Sequence, residues 1–240
     1  MTNEGSDVSR GTSDPVASGT HLTGAERRGL DAVGRWARLP HLPAEGLARY
    51  RRWLAEEAAP AGGIGPKEVP RLWTRHLVDA LTFAGPRDVD EPRRIVDVGT
   101  GVGLPGIPLA MAFPRSEVVL VDRARRRADL VRRAVRILAL DNVVVVEGDA
   151  GALATAGIRP HLMTFRGSLG VPAAARLAVQ AVGDGGAGVL GLSRRPESPS
   201  LPVVDGLDAD LEVVRVPEDV LDSPAWLLRI RPRRDVPRRS

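Results

Sequence analysis

The 240-residue sequence contains no cysteine. That absence excludes disulfides, zinc knuckles, iron-sulfur clusters and every mechanism that uses a thiol nucleophile. Aromatic residues make up only 3% of the chain, so its core must be assembled from Val, Leu, Ile and Ala. Lysine is almost missing: Lys67 is the single example, and the other 33 of the 34 Lys and Arg residues are arginines. No run approaches the roughly 20 apolar residues that a membrane span requires. The polar first 24 residues, MTNEGSDVSRGTSDPVASGTHLTG, lack the apolar centre of a signal peptide. The expectation is a cytoplasmic chain without a membrane partner, with a disordered tail over residues 1–24. His21, His41, His76 and His161 are scattered, so no metal is expected. No Ser/His/Asp set, HExxH helix or NPPY-like turn occurs, which argues against hydrolysis, zinc catalysis and adenine N6 methylation.

What is present is ordinary for a folded chain: 43% hydrophobic and 27% charged residues. The length suits one well-packed α/β domain with a smaller appendage. A net charge of +4 and a sequence pI of about 10.6 favour polyanionic partners. Arginine suits phosphate through bidentate contacts, but a coding bias toward Arg gives the same count, so charge alone decides nothing.

Two helices are expected at 25–39 and 43–58, with Trp36, Leu39, Leu47, Tyr50 and Leu54 buried. After the break PAGGIGP at 60–66, Val69, Leu72, Trp73, His76, Leu77 and Ala80 recur at three-to-four spacing and predict a third helix over 66–84. Residues 25–84 therefore read as a helical appendage. From Arg94 the pattern changes to short β-branched runs separated by helical stretches, the mark of parallel strands joined by crossover helices. The runs are 95–98, 118–122, 143–147, 161–165 and 187–193, apolar enough for strands buried on both faces. LEVVRV (211–216) and WLLRIR (226–231) predict a closing antiparallel pair, giving a seven-stranded sheet over a domain of residues 85–232 and a basic tail at 233–240.

The segment IVDVGTGVGLPGIPLA (95–110) is a strand, a glycine-rich turn and a helix start. Gly99, Gly101 and Gly103 let the backbone turn sharply and approach a ligand with no Cβ in the way. Pro105 and Pro108 fall in the first helical turn, where a missing N–H costs least. Gly101, Gly103 and Gly106 also satisfy the dinucleotide GxGxxG pattern, with Asp122 where a ribose-binding acid belongs. Two features tilt the reading from a dinucleotide toward S-adenosyl-L-methionine (AdoMet). Asp97 precedes the first glycine to give DxGxGxG, and the third strand runs at once into Gly148-Asp149-Ala150. Asp122 has a second reading as the N-cap of the following helix, and the two roles are compatible. Asp97 is expected to order the loop, or to meet the methionine ammonium through water, rather than act as a base. The predicted helix at 123–140 carries Arg123, Arg125, Arg126, Arg127, Arg132, Arg133 and Arg136 against one acid, Asp129, with Leu130, Ala134, Ile137 and Leu138 as its buried stripe. Its arginines form either a solvated outer face or a phosphate-binding one.

Three segments together carry a resemblance: IGPKEVPRLWTRHLVDAL (64–81), RIVDVGTGVGLPGIPLA (94–110) and VVLVDRARRRADL (118–130). Over residues 64–150 the chain resembles the RsmG family, also called glucose-inhibited division protein B, the 16S ribosomal RNA guanine-N7 methyltransferases. The resemblance implies a Rossmann-like class I AdoMet-dependent methyltransferase, an α/β fold with a mostly parallel seven-stranded sheet and N-terminal helices. It implies AdoMet contacts at Gly99 and Leu104, at Ala150 and Gly151, and at Arg166, with Asp122 in the ribose position. Arg75 and His76 match the family's Arg-His pair on the substrate side. For His76 the other reading is a buried, hydrogen-bonded core residue, and for Arg166 a surface arginine. The implied partner is 16S ribosomal RNA or the small ribosomal subunit. Guanine N7 already bears a lone pair, so such a transfer needs alignment rather than a general base. The chain departs from the family in carrying Asp149-Ala150-Gly151 where Arg-Ala-Glu is usual, and Leu192-Ser193-Arg194 where a lysine is expected.

Overall fold

A computed structural model describes residues 22–193, 206–221 and 223–233. The expected tail at 1–24 lies outside them except for its last three residues, as does the basic tail beyond residue 233 and Arg194. Seven strands form one sheet in the order β3-β2-β1-β4-β5-β7-β6. They are β1 (Arg94–Val98), β2 (Glu117–Asp122), β3 (Val143–Glu147), β4 (Leu162–Phe165), β5 (Ala187–Leu192), β6 (Ala209–Val216) and β7 (Ala225–Pro232). The first five run parallel, and β7 is antiparallel to both β5 and β6. The chain leaves β1 toward one edge and returns at β4 toward the other, so a crevice opens at the C-terminal ends of these two neighbours.

Successive side chains of a strand face opposite sides, and the sheet separates two apolar layers accordingly. Ile95, Val118 and Leu120 join one layer, while Val96, Val98, Val119 and Val121 join the other. On the first side lie the N-terminal helices together with α4 (Gly106–Ala112) and α5 (Arg125–Ile137). On the second lie α6 (Ala150–Thr155) and α7 (Val171–Ala181). Ala174, Ala175, Ala178 and Ala181 let α7 settle tightly on the sheet, and a Cβ on Gly188 would come within 2.7 Å of that of Ala178.

The N-terminal layer begins with α1 (Gly24–Trp36), started by a capping box in which Thr23 and Glu26 bond each other's backbone N–H. It continues through α2 (Ala44–Trp53) and one wide π turn, Leu54–Ala58. The helix expected at 66–84 is one helical run in three pitches: a 3-10 piece Pro66–Arg71, a π-helical piece Leu72–Val78, and α3 (Asp79–Thr82). Pro70, which has no N–H to donate, sits inside the 3-10 piece.

Four expectations need correction. The strand β3 is an edge, bonded only to β2, so it is not buried on both faces, and Val144 is half exposed. Ile137 is also half exposed; the stripe that α5 buries is Ala128, Val131, Ala134 and Leu138, the set whose spacing keeps one face. The first helix ends at Trp36, and Leu39 packs on the core from the loop. Pro105 is the N-cap of α4 rather than a first-turn residue; Pro108 does lie in that turn.

Candidate functional site

The β1–α4 loop turns through Gly99, Gly101 and Gly103 with φ of +69°, +62° and +103°, values an L side chain resists. Its backbone is tied across to β2, because Gly99 and Thr100 both donate their N–H to the Val121 carbonyl at 2.8 and 3.0 Å. From below, Asp97 clamps the loop: one carboxylate oxygen accepts from the Thr100 hydroxyl (2.7 Å) and the Gly106 N–H (3.0 Å), the other from the Thr164 hydroxyl (2.8 Å). Burial pushes the Asp97 carboxyl above its usual value, and the three donors only partly offset this. Both oxygens of Asp97 are thus engaged within the protein. A second clamp comes from α2, where the buried Tyr50 hydroxyl donates to the Val102 carbonyl at 2.7 Å.

At the end of β2, Asp122 takes the Gly101 N–H on one oxygen (3.0 Å) and the Ala124 N–H on the other (2.9 Å). The Arg127 Nε lies against both oxygens, at 3.0 and 2.9 Å. Burial raises the Asp122 pKa, but the Arg127 hydrogen bond and the two N–H donors outweigh it and hold the carboxyl below its usual range. The N-cap reading is not met: the cap position of α5 is Ala124, and Asp122 stands two residues upstream, bonding the cap's own N–H.

These groups open on a cavity of about 690 Å³ at the C-terminal ends of the strands. Gly99, Gly101, Asp122, Ala150, Gly151 and Arg166 line it; Gly103 and Leu104 do not. Gly103 instead faces the Tyr50 hydroxyl, and Leu104 is buried in the layer below. A Cβ on Gly101 would meet nothing within 4 Å, so that glycine borders open space. Beside Asp122, after the neighbouring strand β3, Asp149 caps α6, its carboxylate accepting the Gly151 N–H at 2.7 Å. The larger cavity beside α2, about 870 Å³, lies at the far side of the first layer and includes no residue of the glycine loop.

Arg166, just past β4, is neither free nor on the open surface. Its guanidinium meets Asp79 at 2.9 Å, donates to the Arg75 carbonyl at 2.9 Å and lies 3.4 Å from His76 Nδ1. His76 Nε2 in turn is 3.1 Å from Glu68. Burial, then the Arg166 charge, lowers the His76 pKa against the pull of Glu68 and Asp79. His76 is half-buried and hydrogen-bonded, Arg75 exposed. Burial raises the Asp79 pKa despite Arg166. The guanidinium groups of Arg123, just before α5, and of Arg125, Arg126, Arg127, Arg132 and Arg133 on it each reach an oxygen of the protein, among them Glu57 at 2.6 Å from Arg133.

Sequence reasoning missed four participants. Asp79 lay three residues past His76 and invited attention as its acid neighbour. Arg127 was one arginine among seven, with no local signal to separate it. Tyr50 was expected only as core. Ser168 follows Arg166, lines the cavity and has a buried hydroxyl without a hydrogen-bond partner.

A sheet in this order with one antiparallel strand, and a glycine loop at its switch point, defines the Rossmann-like class I methyltransferase fold. The solved structure of MtNAS in complex with MTA and tNA shares it, at a TM-score of 0.56 and 16% identity over 88% of this chain and 86% of that one. The model of the family described as rRNA small subunit methyltransferase G (GidB) matches residues 44–187, and the chain belongs to that family. Ribosomal RNA small subunit methyltransferase G of Streptomyces coelicolor is 40% identical over 118 residues, 49% of this chain and 48% of the relative. That of Pseudarthrobacter chlorophenolicus is 31% identical over 188 residues, 76% and 85% of the two chains. The chain thus spans about half the length of the first of these relatives and most of the second. No described helix is long and apolar enough to cross a membrane.

Proposed function

We propose that the protein is an AdoMet-dependent methyltransferase that modifies guanine N7 in 16S ribosomal RNA, working in the cytoplasm on the RNA or the small ribosomal subunit. The observation that carries the reading is the joint between the two cofactor elements: the Asp122 carboxylate holds the Gly101 N–H at 3.0 Å on the wall of one cavity. The residues present fit the group. Gly101 leaves clear the space that a Cβ would fill, and the Asp122 carboxylate can accept hydrogen bonds from hydroxyls. Ala150 and Gly151 line the cavity just past the Gly148 N–H that donates to the Asp122 carbonyl at 3.0 Å, and Arg166 lines it together with Ser168 beyond β4. When bound, AdoMet supplies an electrophilic methyl group.

The chain's own part is to bind, orient and exclude water. Guanine N7 carries its lone pair already, so no residue has to remove a proton. Asp97 and Tyr50 hold the loop's shape, and the Asp79, Arg75 and His76 contacts hold Arg166 at the cavity. The acceptor base would enter on the Arg75–His76 side of Arg166. The test is transfer of labelled methyl from AdoMet to small ribosomal subunits that lack their guanine-N7 methylation, with the labelled nucleotide identified. Labelled 7-methylguanine at a single position is the expected result. Tight AdoMet binding without transfer would leave a binding protein, and transfer only to another acceptor would leave a methyltransferase of different substrate.

A further inference from the structure

Asp122 is nearly sealed: its side chain is 1% exposed although it lines the cavity. Two of its partners, the Gly101 and Ala124 N–H groups, belong to the backbone and cannot leave without dismantling the loop. The third is Arg127, whose side chain is 55% exposed and whose Nε lies against both oxygens. Among the described residues that guanidinium makes no other hydrogen bond or ion pair. A carboxylate has about four lone-pair sites. Two are taken by backbone donors, and Arg127 stands over the remainder.

We propose that Arg127 is a displaceable cover on Asp122, exchanged for the two hydroxyls of a vicinal diol when a ribose binds, so that it competes with diol ligands for the carboxylate. The inference rests on the reading of Asp122 as the ribose-binding acid. Two adjacent hydroxyls offer one donor to each oxygen and replace what the guanidinium gave. A ligand without hydroxyls cannot replace it and leaves the guanidinium in place. The exchange is feasible because the Arg127 side chain is 55% exposed and can turn into solvent, while the incoming hydroxyls keep the buried carboxylate hydrogen-bonded. Arg127 therefore tempers the affinity of diol ligands by competition and leaves ligands without the diol unaffected.

The probe is 5′-methylthioadenosine, which carries the diol and no charge, beside its 2′,3′-dideoxy counterpart. Both are titrated calorimetrically into the whole protein, wild type and Arg127→Met. The variant should bind the diol ligand roughly 3- to 10-fold more tightly and the dideoxy ligand as before. Added salt, which weakens the ion pair, should tighten the diol ligand on wild type and not on the variant. Weaker or equal diol binding by Arg127→Met, with an unchanged melting temperature, overturns the proposal, because the arginine would then support the carboxylate or ignore it. Should the variant melt early, Arg127→Gln supplies the same comparison. Wild-type protein that binds neither the diol ligand nor AdoMet would instead sink the ribose reading itself, as would undiminished diol binding by Asp122→Ala.

Discussion

Asp122 joins two roles in one carboxylate: it staples the glycine loop to the end of β2 through Gly101, and it is the acceptor the proposed ribose would use. Replacing it by Ala removes both, and AdoMet binding measured by calorimetry should weaken by about 1 to 3 kcal/mol if two hydroxyl bonds are lost. Unchanged affinity would move the ribose elsewhere. His76 offers a test by pH. Burial and Arg166 place its folded pKa below the value of about 6.5 it has when unfolded. Below that value the unfolded chain binds more protons than the folded one, so this group's stability is present above about pH 6.5 and drains away as pH falls. The groups facing it are Glu68, Asp79 and Arg166; Glu68, lowered chiefly by its hydrogen bond to His76, titrates well beneath the window. The melting temperature of wild type should therefore fall faster between pH 7 and about pH 5.5 than that of His76→Gln. Parallel curves would mean that the imidazole is as free to ionise folded as unfolded.

At the scale of elements, the glycine loop separates space kept for a ligand from space needed for packing. Gly101 has φ +62° and nothing near its missing Cβ, whereas a Cβ on Gly106 would run into the Leu120 side chain and come within 2.9 Å of Asp97 Oδ2. Gly101→Ala should cost about 1 to 2 kcal/mol of backbone strain and reduce AdoMet binding in a folded protein. Gly106→Ala should lower the melting temperature more, by overpacking worth about 1 to 3 kcal/mol, because neither neighbour can retreat. Thermal melts and binding titrations of the pair separate the two effects, and equal melting temperatures would count against this division. The same loop shows why much of the site was readable in sequence. Local needs, a sharp turn and an acid at a strand end, leave marks at fixed spacing, and so do the periods of the seven strands. Arg127 and Tyr50 left none, because their roles come from which side chain of a helix meets a loop that is distant in sequence or folded back on it. The exposure of Ile137 and Val144 was hidden for a related reason: an apolar residue announces a strand or helix, not whether a neighbour covers it.

For the whole molecule, the question is whether the N-terminal helices are an addition to the sheet or part of it. Leu30, Leu47, Trp53, Leu77 and Leu81 belong to the same apolar layer as Ile95, Ile107, Leu109 and Leu120, with no gap near residue 84. Arg87 strengthens the join by donating to the Ala84 and Arg38 carbonyls, and its guanidinium stacks 5.1 Å from the Phe113 ring. Stripping residues 22–84 would expose the part of that layer which α4 and α5 do not cover and release the Tyr50 hold on Val102. At about 25 cal/mol per Å² of apolar surface, even a few hundred Å² laid bare is comparable to the total stability of a domain of this size. A chain beginning at residue 85 should therefore fail to melt cooperatively and should bind a hydrophobic dye, although it retains all seven strands and every residue proposed to touch AdoMet. Hydrogen exchange offers the stricter measurement. If the fragment protected the amides of β1, β2 and β4 as well as the full chain does, the helices would be an appendage, and the loop's shape would have to come from Asp97 and the β2 contacts alone.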